Sequence, residues 1–244
     1  MAKFFSDDFE DATDFDGTTA DASCSVDTAA TANPKNGSKH MRVVITATVD
    51  DWAHAYEQVD GTVTTECWAQ CWVYFHDLPD TSTDDLNILM FTESAGASAI
   101  VYAGLYNDGG TVKWYLRNRD SSSFSNTFSA GASPVADTWY QIRLGVVTAA
   151  GTGTAELWVD SSLHVDLSGL TNNDRALDYV SVGPLLSTGP TGGTTIDFDD
   201  VDIATAEGDL AWSATGGAPT INGVALSLEI NTVGNPVEIN TVVA

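Results

Sequence analysis

The sequence predicts an all-β protein built from two packed antiparallel sheets, with a β extension at its C-terminal end. Three observations carry that prediction. Segments rich in β-branched and aromatic residues alternate apolar with polar positions and stop at Gly, Pro, Asn or Asp. No comparable stretch has the 3.6-residue period of a helix. Sheets made from so many strands each have one apolar face, which two sheets bury against each other.

The strands follow in order. HMRVVITATV (40–49) opens the main region with a run of β-branched residues. In ECWAQCWVYFHDL (66–78), Cys67, Ala69, Cys71, Val73 and Phe75 point one way, and Trp68, Gln70, Trp72, Tyr74 and His76 the other. LNILMFT (86–92), SAIVYAGLYN (98–107) and TVKWYLRN (111–118) come next. Asn107-Asp108-Gly109-Gly110 joins the last two as a hairpin, because these residues accept the positive φ of tight turns. TWYQIRLGVV (138–147) and TAELWVD (154–160) form a second hairpin, and DYVSVGPL (178–185) and TTIDFDDVDIA (194–204) complete the set.

With 244 residues, 43% of them hydrophobic, the chain can bury a large core, and seven Trp, seven Tyr and nine Phe exclude a disordered acidic tail. The 34 acidic and 9 basic residues give a net charge of -25, which repels phosphate backbones and anionic headgroups. Neither nucleic acid nor membrane is therefore expected as a partner. The charge fits a high-salt habitat, an acidic protein that collects calcium, or an ordinary acidic surface. The opening MAKFFSDDFED has no basic segment followed by an apolar run, so a classical signal peptide is not expected, and no apolar stretch reaches the ~18 residues of a membrane span. Three cysteines, Cys24, Cys67 and Cys71, leave at least one thiol without a partner in the chain. Buried free thiols, or a Cys24 link to one of the others, both fit.

The second face of 66–76 places two Trp and a Tyr among polar groups. Flat rings suit pyranose faces and Gln or His suits hydroxyls, so Trp68, Gln70, Trp72, Tyr74 and His76 are candidate glycan-binding residues. A loop or the tail covering this face is the competing reading. Trp114, beside Arg117 and Arg119, presents the same choice.

SDDFEDATDFDG (6–17), DTWYQIRLGVVTAAGTGTAELWVDSSLHVDLSG (137–169) and TTIDFDDVDIA (194–204) together resemble the concanavalin A-like, or laminin-G-like, superfamily over roughly residues 4–204. The resemblance implies a two-sheet antiparallel jelly-roll sandwich, over 1–206 here. It also implies a structural Ca²⁺ between the first and last strands, with Asp8, Glu10, Asp199 and Asp200 at the matching positions. Crowded carboxylates independently favour a hard cation, solvated carboxylates being the alternative.

Glucanases of this fold resemble one another in an ExDxE-type strand, which is absent here; Glu156 with Asp160, and Asp197 with Asp199, are the candidate carboxylate pairs. Lyases of the fold resemble one another in an Arg, a Gln-x-His and a Tyr. None of His40, His54, His76 and His164 sits in Gln-x-His, although His76, Gln70 and Tyr74 share a face that Arg117 or Arg119 would have to reach. No serine elbow, phosphate loop or zinc helix occurs. The expectation is no catalytic residue and no enzyme.

EGDLAWSATGGAPT (207–220) reads as a linker before a short β-repeat tail, 221–244. Ile221 to Val224, Ile230 to Val233 and Ile239 to Val242 recur every nine residues, too short a run for a core of its own. Ile221, Val224, Ile230, Val233, Ile239 and Val242 are therefore candidate assembly residues. Such repeats resemble termini of structural proteins from tailed viruses. The expectation is a non-enzymatic virion structural or decoration protein, from a high-salt host, with an outward jelly roll for a surface glycan. Its partners would be its own copies or shell and tail proteins, and its location the virion; cytoplasm or non-classical export is the alternative. The competing function is a free carbohydrate-active enzyme, polysaccharide lyase or glycoside hydrolase, or its carbohydrate-binding module.

Overall fold

A computed structural model describes residues 3–11, 14–21, 24–29, 34–46, 49–59, 65–94, 97–120, 123–173, 175–184, 187–188, 190, 193–212, 220–221 and 224–225. Its strands are β1 (Lys3–Asp7), β2 (Gly17–Ala20), β3 (Ser25–Ala29), β4 (His40–Ile45), β5 (Val49–Asp51) and β6 (Ala53–Gln58). They continue as β7 (Glu66–Phe75), β8 (Asp85–Ser94), β9 (Ala97–Asp108), β10 (Thr111–Asp120), β11 (Ser123–Phe128) and β12 (Trp139–Val147). The last are β13 (Gly153–Val159), β14 (Ser162–Leu170), β15 (Tyr179–Val182), β16 (Ser187–Thr188), β17 (Thr194–Ala204), β18 (Thr220–Ile221) and β19 (Val224–Ala225).

The protein is an all-β, two-sheet antiparallel sandwich of jelly-roll type. Sheet I runs β14-β13-β12-β7-β17-β4-β3, with β1 also on β17, and sheet II runs β11-β10-β9-β8-β15-β6-β2, with β16 joining β5 and β8. The period-2 alternation of β7 decides its orientation: Cys67, Ala69, Cys71, Val73 and Phe75 all enter the core between the sheets. Facing them from sheet II are Leu86, Ile88, Phe91, Val101, Ala103, Leu105, Trp114 and Leu116. Cys67 and Cys71 are buried free thiols and Cys24 is half-buried; burial pushes the first two well above the usual thiol range.

Strand β17 changes neighbours along its length. Residues 194–198 pair with β4 and residues 201–204 with β1, across a bulge at Asp199–Asp202 in which Asp200 takes φ +47°. Aspartate is among the few non-glycine residues that accept this conformation.

The chain divides into two compact units, 1–211 and 212–244. Residues 207–211, predicted as the start of a linker, belong to the first, where a 3-10 turn (Glu207–Asp209) precedes buried Leu210. In the second unit, β18 and β19 form a small antiparallel hairpin with Ile221 opposite Val224. These are extra C-terminal strands of the predicted kind. Ile230, Val233, Ile239 and Val242 lie outside the described residues.

Candidate functional site

The aromatic face predicted on β7 forms the outer side of sheet I, and most of it is covered. Trp68 is 5% exposed and packs with Ala204, Leu210 and Trp158. It lies flat over Gly145, its cross-strand partner, where a Cβ would stand 2.3 Å from the ring. Gln70 is also buried. Its amide nitrogen donates to the Ala211 carbonyl at 2.9 Å and to Asp202 at 3.1 Å, while its oxygen accepts from Arg143. Trp72, 2% exposed, has the Lys35 ammonium 4.0 Å above its ring centre. The predicted open cleft is thus corrected at Trp68, Gln70 and Trp72: residues 207–211 and the 34–39 loop occupy the space a glycan would need.

Tyr74 and His76 remain half-buried at the open end, near Trp139. His76 Nε2 is 2.8 Å from Asp197, which also accepts two 2.7 Å bonds from Arg42 and lies 3.2 Å from His40. Burial alone would raise the Asp197 pKa, yet the bonds from Arg42, His40 and His76 hold it well below the usual carboxylate range. The arginine beside His76 is therefore Arg42. Arg117 and Arg119, the arginines considered from sequence, lie on sheet II.

Trp114 faces the core, against Phe75 and Tyr140. This is a parity effect: Lys113, Tyr115, Arg117 and Arg119 alternate onto the outer face of β10, so Trp114 cannot share their side.

That outer face of sheet II is the better candidate site. Successive strand pairings set Tyr56, Ser181, Met90, Tyr102, Arg117 and Asn126 side by side across the sheet. The Arg117 guanidinium carbon is 5.7 Å from the Tyr102 ring centre and 5.0 Å from that of Phe124. Its Nε has no hydrogen-bond partner among the described residues. Arg119 lies 5.5 Å from the Phe124 ring, and Lys113 lies 5.8 Å from Phe128 while pairing with Asp108 at 2.7 Å. Phe124 and Phe128 are among the few exposed large apolar side chains described.

Beneath this rim, the Tyr115 hydroxyl donates to Asn87, with Asp85 at 3.1 Å. Burial pushes the Tyr115 and Tyr102 phenols up, with Arg117 pulling Tyr102 partly back. On β6, His54 is fully buried beside Trp52 and Tyr56, and neither ring nitrogen has a partner among the described residues. Burial lowers its pKa to about 4, so the imidazole is neutral near neutral pH. The sequence carried a signal for this face in the spacing of Lys113, Arg117 and Arg119, all at odd positions of one strand.

The predicted cation ligands gather where β17 bulges. Glu10 accepts from the Ser38 and Lys39 amides at 2.6 and 2.9 Å and from the Ser38 hydroxyl at 2.7 Å. Asp199 accepts from the Lys35 and Asn36 amides, both at 3.0 Å, and the Asn36 side chain donates to Asp200. Asp8 bonds the Glu10 amide at 3.2 Å. Burial, with Asp200 adding repulsion, pushes Asp199 up to about 7, and burial with Asp202 and Asp8 raises Asp200. Among the described residues no three His, Cys, Asp or Glu side chains are grouped to hold a metal.

Neither near pair of carboxylates is set up for glycoside hydrolysis. Asp197 is fixed by Arg42, Asp199 by backbone amides, and Glu156 accepts from the Trp158 indole at 3.0 Å while Asp160 accepts from the Gln141 amide at 2.9 Å.

No family model and no curated protein matches this sequence. Solved structures do. The cellulose induced protein Cip1 aligns with a TM-score of 0.59 and 17% identity, over 83% of this chain and 97% of that one. The globular domain of T. cruzi calreticulin gives 0.57 and 12%, over 85% and 90%. A mutant alginate lyase in complex with alginate trisaccharide gives 0.52 and 14%, over 69% and 82%. At such identities these likenesses show the fold alone. They correct two expectations nonetheless. The sandwich aligns with a cellulose induced protein and a polysaccharide lyase instead of virion proteins, which overturns the particle component. With an enzyme among the like-folded structures, the non-enzymatic reading loses its ground as well.

Among the described residues no helix is long and apolar enough to cross a membrane.

Proposed function

We propose that this chain is a carbohydrate-active domain that receives an acidic polysaccharide across the outer face of sheet II. One observation supports this above others: three of the nine basic residues, Lys113, Arg117 and Arg119, alternate along one strand among Tyr102, Tyr106, Phe124 and Phe128, in a chain of net charge -25. Guanidinium groups pair with uronate carboxylates, and exposed rings stack on pyranose C–H faces. Without that strip the overall field would repel such a polymer.

Lyase chemistry is the reaction this face suits. β-Elimination removes the carbon-bound proton next to the uronate carboxylate, forms a C=C bond and expels the glycosidic oxygen, which takes up a proton. Arg117 would neutralise the carboxylate and so acidify that proton, and Tyr102, directly opposite, would exchange protons with the substrate. The test is incubation with polyuronates and neutral glucans, following retention in affinity electrophoresis and the ultraviolet absorbance of unsaturated products. Retention of polyuronates with new absorbance, both lost in Arg117→Ala, supports the proposal. Retention without absorbance reduces it to a binding module, and equal behaviour toward neutral and acidic polymers overturns it.

Calcium at the β17 bulge is also our proposal, supported by the mutual repulsion of Asp8, Asp200 and Asp202. A cation there would replace amide contacts now made to Asp199 and Asp200.

A further inference from the structure

At the sandwich edge, where β10 of sheet II meets β12, β13 and β14 of sheet I, a cavity of about 380 Å³ opens under the 129–138 loop. That volume lies within the ~300–1,000 Å³ range of small-ligand sites. Three rings border it. Trp114 meets Tyr140 edge-on at 5.2 Å between centres and His164 at 6.5 Å. Asp160 and Ser162 supply polar groups, and none of the described residues lining it is Lys or Arg.

The polar wall is held in place by its neighbours. Ser129, nearly buried, accepts the Gly131 N–H at 2.8 Å, and its hydroxyl lies 2.8 Å from His164 Nδ1. The hydroxyl keeps its proton and a second lone pair for Nδ1, so the neutral imidazole presents Nε2 to a ligand as a donor in one tautomer and an acceptor in the other, and either pairs with a sugar hydroxyl. Gly131 is required by close approach, because a Cβ there would fall 2.8 Å from the His164 ring and 3.1 Å from Ser129 Oγ. On the opposite side, Asp160 and Ser161 take φ +47° and +65° in the β13–β14 turn, where Asp160 accepts the Gln141 amide at 2.9 Å. The Tyr140 hydroxyl accepts the Val135 amide at 2.8 Å and ties the loop down over the cavity.

We propose that this cavity is a second glycan site, independent of the sheet II face and selective for one uncharged pyranose. A carboxylate acceptor, an imidazole nitrogen and a hydroxyl match vicinal sugar hydroxyls, and the rings supply an apolar wall for the C–H face. The Asp160 carboxylate, with no Lys or Arg among the described lining residues, excludes a uronate, the opposite preference to the strip on β10. Trp114 thereby takes part in sugar recognition from the core side of β10.

The test is titration of the full chain with methyl glycosides of neutral hexoses and with a methyl hexuronide, by heteronuclear NMR. The expected result is saturable shifts at Trp114 and His164 with at least one neutral hexose and none with the hexuronide. Asp160→Asn keeps the Oδ1 acceptor for Gln141 and tolerates the left-handed backbone, so it should fold and weaken binding about tenfold. Gly131→Ala, which displaces His164, should abolish binding, whereas Arg117→Ala should leave it unchanged. No shift with any neutral hexose, equal binding of the hexuronide, or unaltered affinity in a folded Asp160→Asn would overturn the proposal.

Discussion

Arg143 reaches across sheet I to Gln70, donating to its oxygen from Nη2 at 2.9 Å and from Nε at 3.3 Å. The same guanidinium donates to the Leu210 carbonyl at 2.9 Å and meets Glu207 at 3.2 Å, so one buried cation fastens residues 207–210 over Trp68. Replacing it by Met should cost about 2–3 kcal/mol, since Gln70 and Leu210 lose a charged donor in a buried place. Urea unfolding measures the loss, and a red shift of Trp68 emission reports release of the segment. Unchanged stability would show that apolar packing of Leu210 is sufficient.

Arg117 is predicted to carry affinity and little stability. Its ring contacts are worth about 0.5–1 kcal/mol at an exposed edge, whereas a carboxylate in the site loses the guanidinium between Tyr102 and Phe124 on substitution. Arg117→Ala should weaken polyuronate binding tenfold or more and shift Tm by no more than a few degrees. Arg117→Lys should recover part of the binding, as a point charge without the planar fork. A collapse of Tm in both variants would recast the residue as structural.

His54 makes stability depend on pH. In the folded chain it resists protonation down to about 4, while an unfolded imidazole takes its proton near 6.5. The unfolded state therefore binds more protons between those values, and stability present above pH 6.5 is lost as the pH falls through about 4. Roughly 3 kcal/mol should disappear across that window. Denaturant midpoints at half-unit steps measure it, and His54→Gln should flatten the curve there while leaving the acid limb set by Asp197.

Asp197 contributes at lower pH. Its folded pKa is depressed, so its stabilisation is complete above about 4 and lost as the pH falls below the ordinary carboxylate range. Arg42→Met removes two of the bonds and should move the acid-unfolding midpoint upward. An unmoved midpoint would assign the anchoring to His40 and His76.

Calcium should raise Tm by several degrees if it occupies the β17 bulge, by linkage to the folded state. Calorimetry with calcium, magnesium and a chelator checks this. Asp200→Asn keeps the left-handed backbone and should remove the increment; an equal increment in that variant would withdraw the proposal.

Strand identity was legible where apolar alternation is strong, while β2, β6, β11 and β14, short or polar, gave no such pattern. The alternation in 66–76 sorted Cys67, Ala69, Cys71, Val73 and Phe75 into the core before any pairing was known, and the Asn107–Gly110 turn marked the β9–β10 hairpin. The same alternation separated Trp114 from Arg117, although the two had been grouped by nearness in sequence. Parity places the cationic strip of β10 on the outer face as strictly as it places the apolar set of β7 in the core. The tail repeat was legible only as backbone pairing at Ile221 and Val224.

By itself the sequence determined an antiparallel sandwich and, on β7, the side that meets the core, because side-chain alternation is a local consequence of extended backbone. Which outer face stays open was decided by the tertiary structure. The covers of Trp68 and Trp72 come from Leu210 and Lys35, far away along the chain. Arg42 reaches His76 and Asp197 only through the β4–β17 pairing, and Tyr102 meets Arg117 only through the β9–β10 register. Long-range pairing sets such neighbours, and no periodicity within one strand encodes them.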